Sequence, residues 1–285
     1  MVNKVIFYIT MMLMVCSIIC AETKKESEPK KVITNSTQAI ARAKNFFHNV
    51  GWLWSGNVKV KPPEENVVQP NVWGVKDENS TVYCNEFTGN VTIAHTSGMI
   101  SEGKKDFTKI TKETAISFAK KHLKAAGISF DDLVLETIKI EPKLNSSVWQ
   151  IKYRREYKIY KYLDEWLAIS IDPLDGALIS FNYHCNSLVP VNTDVKLKKE
   201  TAIKNAGVCL KNIKQIPGKL VSAELMIVQP DNYLDIAGKK IKSDEYKQQQ
   251  ITRLAWVINL DGPWDITQVW VDAEDGSILG GVHCK

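Results

Sequence analysis

Apolar positions recur at helical spacing in three separate stretches. Ile40, Ala43, Phe47 and Val50 make one stripe, Ile116, Ala119, Leu123 and Ala126 a second, and Ile203, Ala206, Leu210 and Ile213 a third. Intervals of three, four and three residues put each quartet on one face of an α-helix. An Ala-Ile pair opens every stripe: Ala39-Ile40, Ala115-Ile116 and Ala202-Ile203. Ser36 and Thr111 stand where N-caps are expected, and Gly127 where a helix should stop.

Downstream of each stripe the pattern changes to short alternating runs. Strands are expected over 72–75, 81–84 and 91–94 after the first helix, and over 134–138, 149–153, 167–171 and 178–183 after the second. After the third they are expected over 223–227, 256–258, 269–271 and 277–282. The spacing is shared. Ala39 to Trp73 is 34 residues, Ala115 to Trp149 is 34, and Ala202 to Trp256 is 54. The excess falls on a polar, Lys-rich insertion near 231–250.

The last two strands of each set flank Asn85-Glu86-Phe87-Thr88-Gly89, Asp172-Pro173-Leu174-Asp175-Gly176 or Asp272-Ala273-Glu274-Asp275-Gly276. The leading Asn or Asp can bond the turn backbone and the glycine can take positive φ, so each reads as a hairpin turn. The run is too poor in oxygen ligands for a calcium loop. The expected fold is α+β: tandem small units, each an α-helix packed on an antiparallel β-sheet. They span 34–106, 107–190 and 191–285, the first a degenerate copy. Such repeats favour scaffolds and binding surfaces over a single reactive centre.

Residues 1–21 read as a signal peptide: Lys4 opens it, 5–19 are almost all apolar, and Ile19-Cys20-Ala21 suits cleavage. A lipid anchor on Cys20 is the weaker reading, because Ile19 stands where a small residue is needed. The expected location is secreted, periplasmic or in the cell envelope. Residues 22–33 are rich in Lys and Glu and read as a disordered leader. Losing 1–21 takes the net charge from +5 to +4 by removing Lys4, too little to argue for nucleic acid. No later segment reads as a membrane span, so the mature chain is expected to have none. Sequons at Asn35, Asn79, Asn90 and Asn145 matter only in a glycosylating host.

Four cysteines then remain, Cys84, Cys185, Cys209 and Cys284. An even count after export suggests two disulfides in one of three connectivities, with Cys209–Cys284 and Cys84–Cys185 preferred. His184-Cys185 and His283-Cys284 recur at strand ends. Neighbours on a strand point to opposite faces, so neither doublet makes a nucleophile–base pair by itself. His122 lies beside the second stripe and reads as a packed, hydrogen-bonded histidine. With no His-Glu-x-x-His, Gly-x-Ser-x-Gly or phosphate loop, no catalytic residue, cofactor or metal is expected. A cryptic hydrolase is the outlying alternative.

Residues 152–162 interleave cations and aromatics, and Lys152, Arg154, Arg155, Lys158 and Lys161 form a candidate binding patch. The competing reading puts the tyrosines inward and the cations in solvent. Of eight tryptophans, Trp73, Trp149, Trp166, Trp256 and Trp270 fall on expected strands. Trp52, Trp54 and Trp264 fall in loops or strand entries and are candidates for a contact surface.

Lys112-Glu113-Thr114-Ala115-Ile116 and Lys199-Glu200-Thr201-Ala202-Ile203, the strands at Trp149 and Trp256, and the closing 171–179 and 271–279 together resemble the PepSY family. They also resemble the related propeptide domains of secreted thermolysin-type metallopeptidases. The resemblance covers the second and third units well, and the first only through its helix and Thr88-Gly89. It implies a non-catalytic domain that assists or inhibits a peptidase, or binds peptides at the envelope. No peptidase sequence follows the third unit, so the expected role is in trans. The expected partner is a protein or peptide, reached by adding a strand to an open sheet edge. The alternative is a structural envelope adaptor.

Overall fold

Three helices form on the expected stripes: α1 (Ser36–Val50), α2 (Lys112–Ala126) and α3 (Lys199–Asn212). The computed structural model describes residues 30–66, 71–96, 109–143, 146–185, 188–234, 239–242, 245, 247–261 and 266–283. The expected signal peptide, Asn145, Trp264 and Cys284 lie outside these residues. In every helix the opening alanine, Ala39, Ala115 or Ala202, is fully buried, and its neighbouring isoleucine is only partly so. The buried face is thus turned by about one residue from the expected stripe. Alanine lets the helix backbone sit close to the sheet, and Phe46, His122 and Cys209 fill the next turn.

After α1 come β1 (Val58–Lys61), β2 (Val72–Asp77), β3 (Ser80–Asn85) and β4 (Val91–Thr96). After α2 come β5 (Leu133–Lys143), β6 (Ser146–Tyr157), β7 (Tyr160–Ile171) and β8 (Leu178–His184). After α3 come β9 (Lys219–Val228), β10 (Arg253–Asp261), β11 (Ile266–Asp272) and β12 (Ile278–His283). Each set of four is an antiparallel meander. Among the described residues the protein is therefore mixed α and β, with three α-helices and a large, mainly antiparallel sheet. The first set is complete: β1, absent from the sequence reading, pairs with β2 from Val58↔Asp77 to Lys61↔Gly74.

The three meanders share their details. Trp73, Trp149 and Trp256 each sit on the second strand, opposite the residue that precedes the turn: Cys84, Ile171 and Val271. In the turns, Asn85, Asp172 and Asp272 accept the N–H of the residue two further on at 3.0, 2.7 and 2.7 Å. Gly89, Gly176 and Gly276 take φ of 69°, 79° and 80°. The pairing then skips one residue of the last strand, namely Thr92, Ile179 and Leu279, each a β-bulge three positions past its glycine.

The lead-in to each helix is tied to its own meander's turn. Glu86 O accepts Val32 N and Ile33 N (2.7 and 2.9 Å), Pro173 O accepts Lys109 N and Ile110 N (2.9 and 3.1 Å), and Ala273 O accepts Lys196 N and Leu197 N (both 2.9 Å). Residues 30–33 are consequently not the end of a disordered leader. Ile33 is buried, and Lys31 pairs with Glu86 at 2.8 Å.

β4 and β8 join the first two meanders into one sheet, and α1, α2 and both meanders share one apolar core. The third meander has its own core with α3. Among the described residues its strands join the rest at one parallel pair, Tyr162↔Ile227, and Pro190 makes a further parallel bridge to Thr252 just before β10. That pair falls where β7 loses register with β6: Arg154↔Trp166 is followed by Glu156↔Lys161, so 162–165 stand opposite Arg155 alone. The insertion is not simply a solvated loop, because Tyr233 and Leu234 are buried in the third core. No helix among the described residues is long and apolar enough to cross a membrane.

Cys84 and Cys185 are free thiols, so the expected pairing between them is wrong. Cys84 faces Val91 on β4, and β4 in turn lies between β3 and β8, the strand that Cys185 follows. Two strand spacings, roughly 9.5 Å, exceed the Cα separation a disulfide spans. Cys209 is buried in the third core.

Candidate functional site

The cationic segment is the densest cluster of polar chemistry in the fold, and its geometry is inward. Arg155 is buried in the gap that the β7 irregularity leaves. Its Nε donates to Asp132 at 2.6 Å, and its Nη1 donates to Glu165 at 2.7 Å and to the Leu188 carbonyl at 3.0 Å. The guanidinium lies 4.3 Å from the Tyr162 ring centroid, and Tyr162 Oη donates to the same carbonyl at 2.7 Å. Burial acts to lower the Arg155 pKa, but the bonds to Glu165 and Asp132 outweigh it and the value rises.

Arg154 is spent on Glu136 at 3.0 Å and on the Leu163 carbonyl. Lys152 joins Glu136 at 3.1 Å. Burial works to raise the Glu136 pKa, and these two cations overcome it and hold it low. Lys158 donates to Thr193 at 2.8 Å, and Lys161 is exposed. The five residues therefore do not form one open patch. The sequence showed cations beside aromatics; it did not show that Asp132 from the turn before β5, Glu136 from β5 and Glu165 from β7 would converge on them.

Cys185 lies near this cluster. Its thiol is pushed up to about 12, first by burial and then by the Glu165 carboxylate, and it bonds Tyr183. A nucleophilic cysteine needs the opposite environment, with cations that favour thiolate. Cys84 is likewise pushed up to about 12 by burial, with Arg42 acting weakly the other way. Among the described residues no group of three or more His, Cys, Asp and Glu side chains is arranged to hold a metal ion.

His122 has a structural partner. Its Nε2 lies 2.9 Å from the Gly176 carbonyl. A carbonyl only accepts, so Nε2 carries the proton and the buried Nδ1 is left without a bond. Burial lowers the pKa of His122, with the Gly176 bond opposing. The other helices make the same tie: Arg42 Nε to Gly89 O at 2.6 Å, and Asn205 Nδ2 to Gly276 O at 3.0 Å. Arg42 and Asn205 stand three residues after the opening alanine. Phe118 holds that place in α2 and packs against Gly176, so the donor comes one turn later.

Of the tryptophans offered as contacts, Trp52 is buried and donates to the Leu178 carbonyl at 2.9 Å, and Trp54 packs edge-on against Phe47. Only Leu53 between them is open, at 88% exposure. The edges at β1 and β5 are guarded. β1 carries Lys59 and Lys61 and runs into Pro62, and β5 has a bulge at Glu136, then Lys139 and Pro142. Lysines, prolines and bulges are the usual blocks to edge pairing. Asn35 caps α1 by accepting Gln38 N at 3.0 Å, whereas Asn79 is exposed in the β2–β3 turn.

No family model and no curated protein matches the chain. A solved structure, the Bacillus megaterium YpeB C-terminal domain, is similar over 88% of this chain and 98% of its own, with 14% identity and a TM-score of 0.40. A likeness at that level carries no argument about function.

Proposed function

We propose that the chain is an exported, non-catalytic binding protein built from three copies of one PepSY-like unit, acting in trans on a peptidase or another polypeptide. One observation carries this reading: the same turn, bulge, lead-in tie and helix-to-turn bond occur three times, and His122, a reactive side chain, is absorbed into the last of these. His122 serves a turn, Arg155 fills a ladder gap, and the Cys185 thiol is held protonated. The apolar run at 5–19 supports export with cleavage near Ala21. Crosslinked pull-down of the exported chain from its native medium tests the reading. A single dominant peptidase, slowed in activity by added protein, supports regulation. Turnover in a broad hydrolase screen that Cys185→Ala or His122→Gln abolishes would overturn it.

An adaptor without a peptidase target is the second reading. The guarded edges of β1 and β5 favour it, because they argue against strand addition there. Pull-down of a non-enzymatic envelope component alone would select it.

A further inference from the structure

The three final strands share one bulge, but only two of them share a partner. β4 pairs with β8 through Ile93↔Asn182, Ala94↔Phe181 and His95↔Ser180. Ala94 and Phe181 each stand five residues past their turn glycine. The flanking pairs join the fourth position of one strand to the sixth of the other, so the junction is pseudo-twofold. In β12 the fifth position is Gly281, and β12 ends its sheet among the described residues.

Asp231 sits at that edge. Its N–H donates to the Leu279 carbonyl at 2.9 Å, and its carboxylate accepts the Gly281 N–H. A Cβ on Gly280 would fall 2.4 Å from Asp231 Oδ1, so only glycine admits the carboxylate there. Leu234 reaches to 3.0 Å from the Cβ position of Gly281. The groups Asp231 engages belong to residues two apart, as they would in an antiparallel ladder. β12 itself, Ile-Leu-Gly-Gly-Val-His, has neither lysine nor proline to discourage pairing.

We infer that Asp231 is an edge guard: it takes on β12 the pairing position that β4 and β8 fill for each other, and without it β12 pairs with β12 of a second copy of this chain. Pairing with a second copy would reuse the register already present between β4 and β8. A twofold pairing centred on Gly281 sets Gly280 against Val282 in both directions, as β4 and β8 do. The glycines bring no side chain into the seam. The inference rests on the registers and stands whether or not the chain regulates a peptidase.

Asp231→Ala tests it, by sedimentation of the exported chain across a concentration series and by amide exchange. The wild type is expected to stay monomeric with a protected Gly281 amide. Asp231→Ala is expected to form a concentration-dependent dimer, with Gly281 exchanging at least about tenfold faster in the dilute monomer. Val282 is exposed, so Val282→Lys is tolerated, and adding it to Asp231→Ala should restore the monomer. A dimeric wild type, or an Asp231→Ala protein that stays monomeric with unchanged Gly281 exchange, overturns the inference. Should Asp231→Ala fail to fold, the wild-type Gly281 amide decides: rapid exchange there overturns the guard and slow exchange supports it.

Discussion

Arg155 and Glu165 form an ion pair at 2.7 Å in which the two side chains retain only 8% and 7% of their exposure. The pair exists because β7 runs four residues against one of β6, and the buried arginine fills the space. It also holds the chain leaving β8, through the Leu188 carbonyl.

Removing one member leaves the other charged and buried. Arg155→Ala is expected to cost about 3–5 kcal/mol in urea unfolding. The double change Arg155→Met with Glu165→Leu should recover most of that loss, because the uncompensated charge goes with its partner. A single variant within about 0.5 kcal/mol of wild type would show that water reaches the cluster.

The three turn glycines share positive φ but not surroundings. A Cβ on Gly176 would fall 2.2 Å from the Phe118 ring, one on Gly276 would fall 2.8 Å from Asn205 Nδ2, and one on Gly89 would fall 3.3 Å from Val32 Cγ1. All three alanine variants incur the left-handed strain of about 1 kcal/mol. Gly176→Ala adds an overpacking cost of roughly 1–3 kcal/mol against a packed ring. The expected order of destabilisation is Gly176, then Gly276, then Gly89, read from thermal midpoints. Equal shifts would show that φ alone decides.

Local patterns carried far in this chain and long-range ones did not. The helices, the tryptophan register and the Asx-Gly turns were readable because each is set within a few residues. His122 was readable as a packed group from its place beside the stripe. β1 was missed because Val58-Lys59-Val60-Lys61 is short and ends on two prolines. Tyr233 and Leu234 were hidden in a polar insertion, where two apolar residues give no period. Arg154 and Arg155 were misjudged because charge is cancelled by carboxylates from other strands, which no spacing reveals.

α3 lacks what its siblings have. Asn35 and Thr111 cap α1 and α2 with side-chain bonds, and both helices end on left-handed glycines, Gly51 and Gly127. α3 begins after Lys198 with no such bond, contains Gly207, and ends at Ile213 with Lys214 at φ 59°. Lys198→Asp should therefore stabilise by about 1 kcal/mol, through an N-cap bond and the helix dipole. Gly207→Ala should add about 0.5–1 kcal/mol, since nothing lies within 4 Å of the new Cβ. Unchanged unfolding midpoints would show that α3 is not limiting.

Two groups of opposite sign contribute to the pH response. Burial, and then the nearby Asp164 carboxylate, lift Asp231 to about 6, while bonds from the Tyr233 and Gly281 backbones pull it down. Its folded pKa lies above its unfolded value of about 3.9. The folded state thus holds more protons between these values. The stability from protonated Asp231 is complete below about pH 4 and is lost as pH rises through 6. His122 has a folded pKa below its unfolded value of about 6.5. Its contribution is present above pH 6.5 and is lost as pH falls through the folded value. Asp231→Asn, which keeps an acceptor for the Gly281 amide, should reduce the decline between pH 4 and 6, to which Asp164 and Asp272, both raised by burial, also contribute, and leave the His122 limb in place. His122→Gln should do the reverse. The check is chemical denaturation of each variant across this range; a wild-type slope that survives Asp231→Asn undiminished would assign it to the other carboxylates.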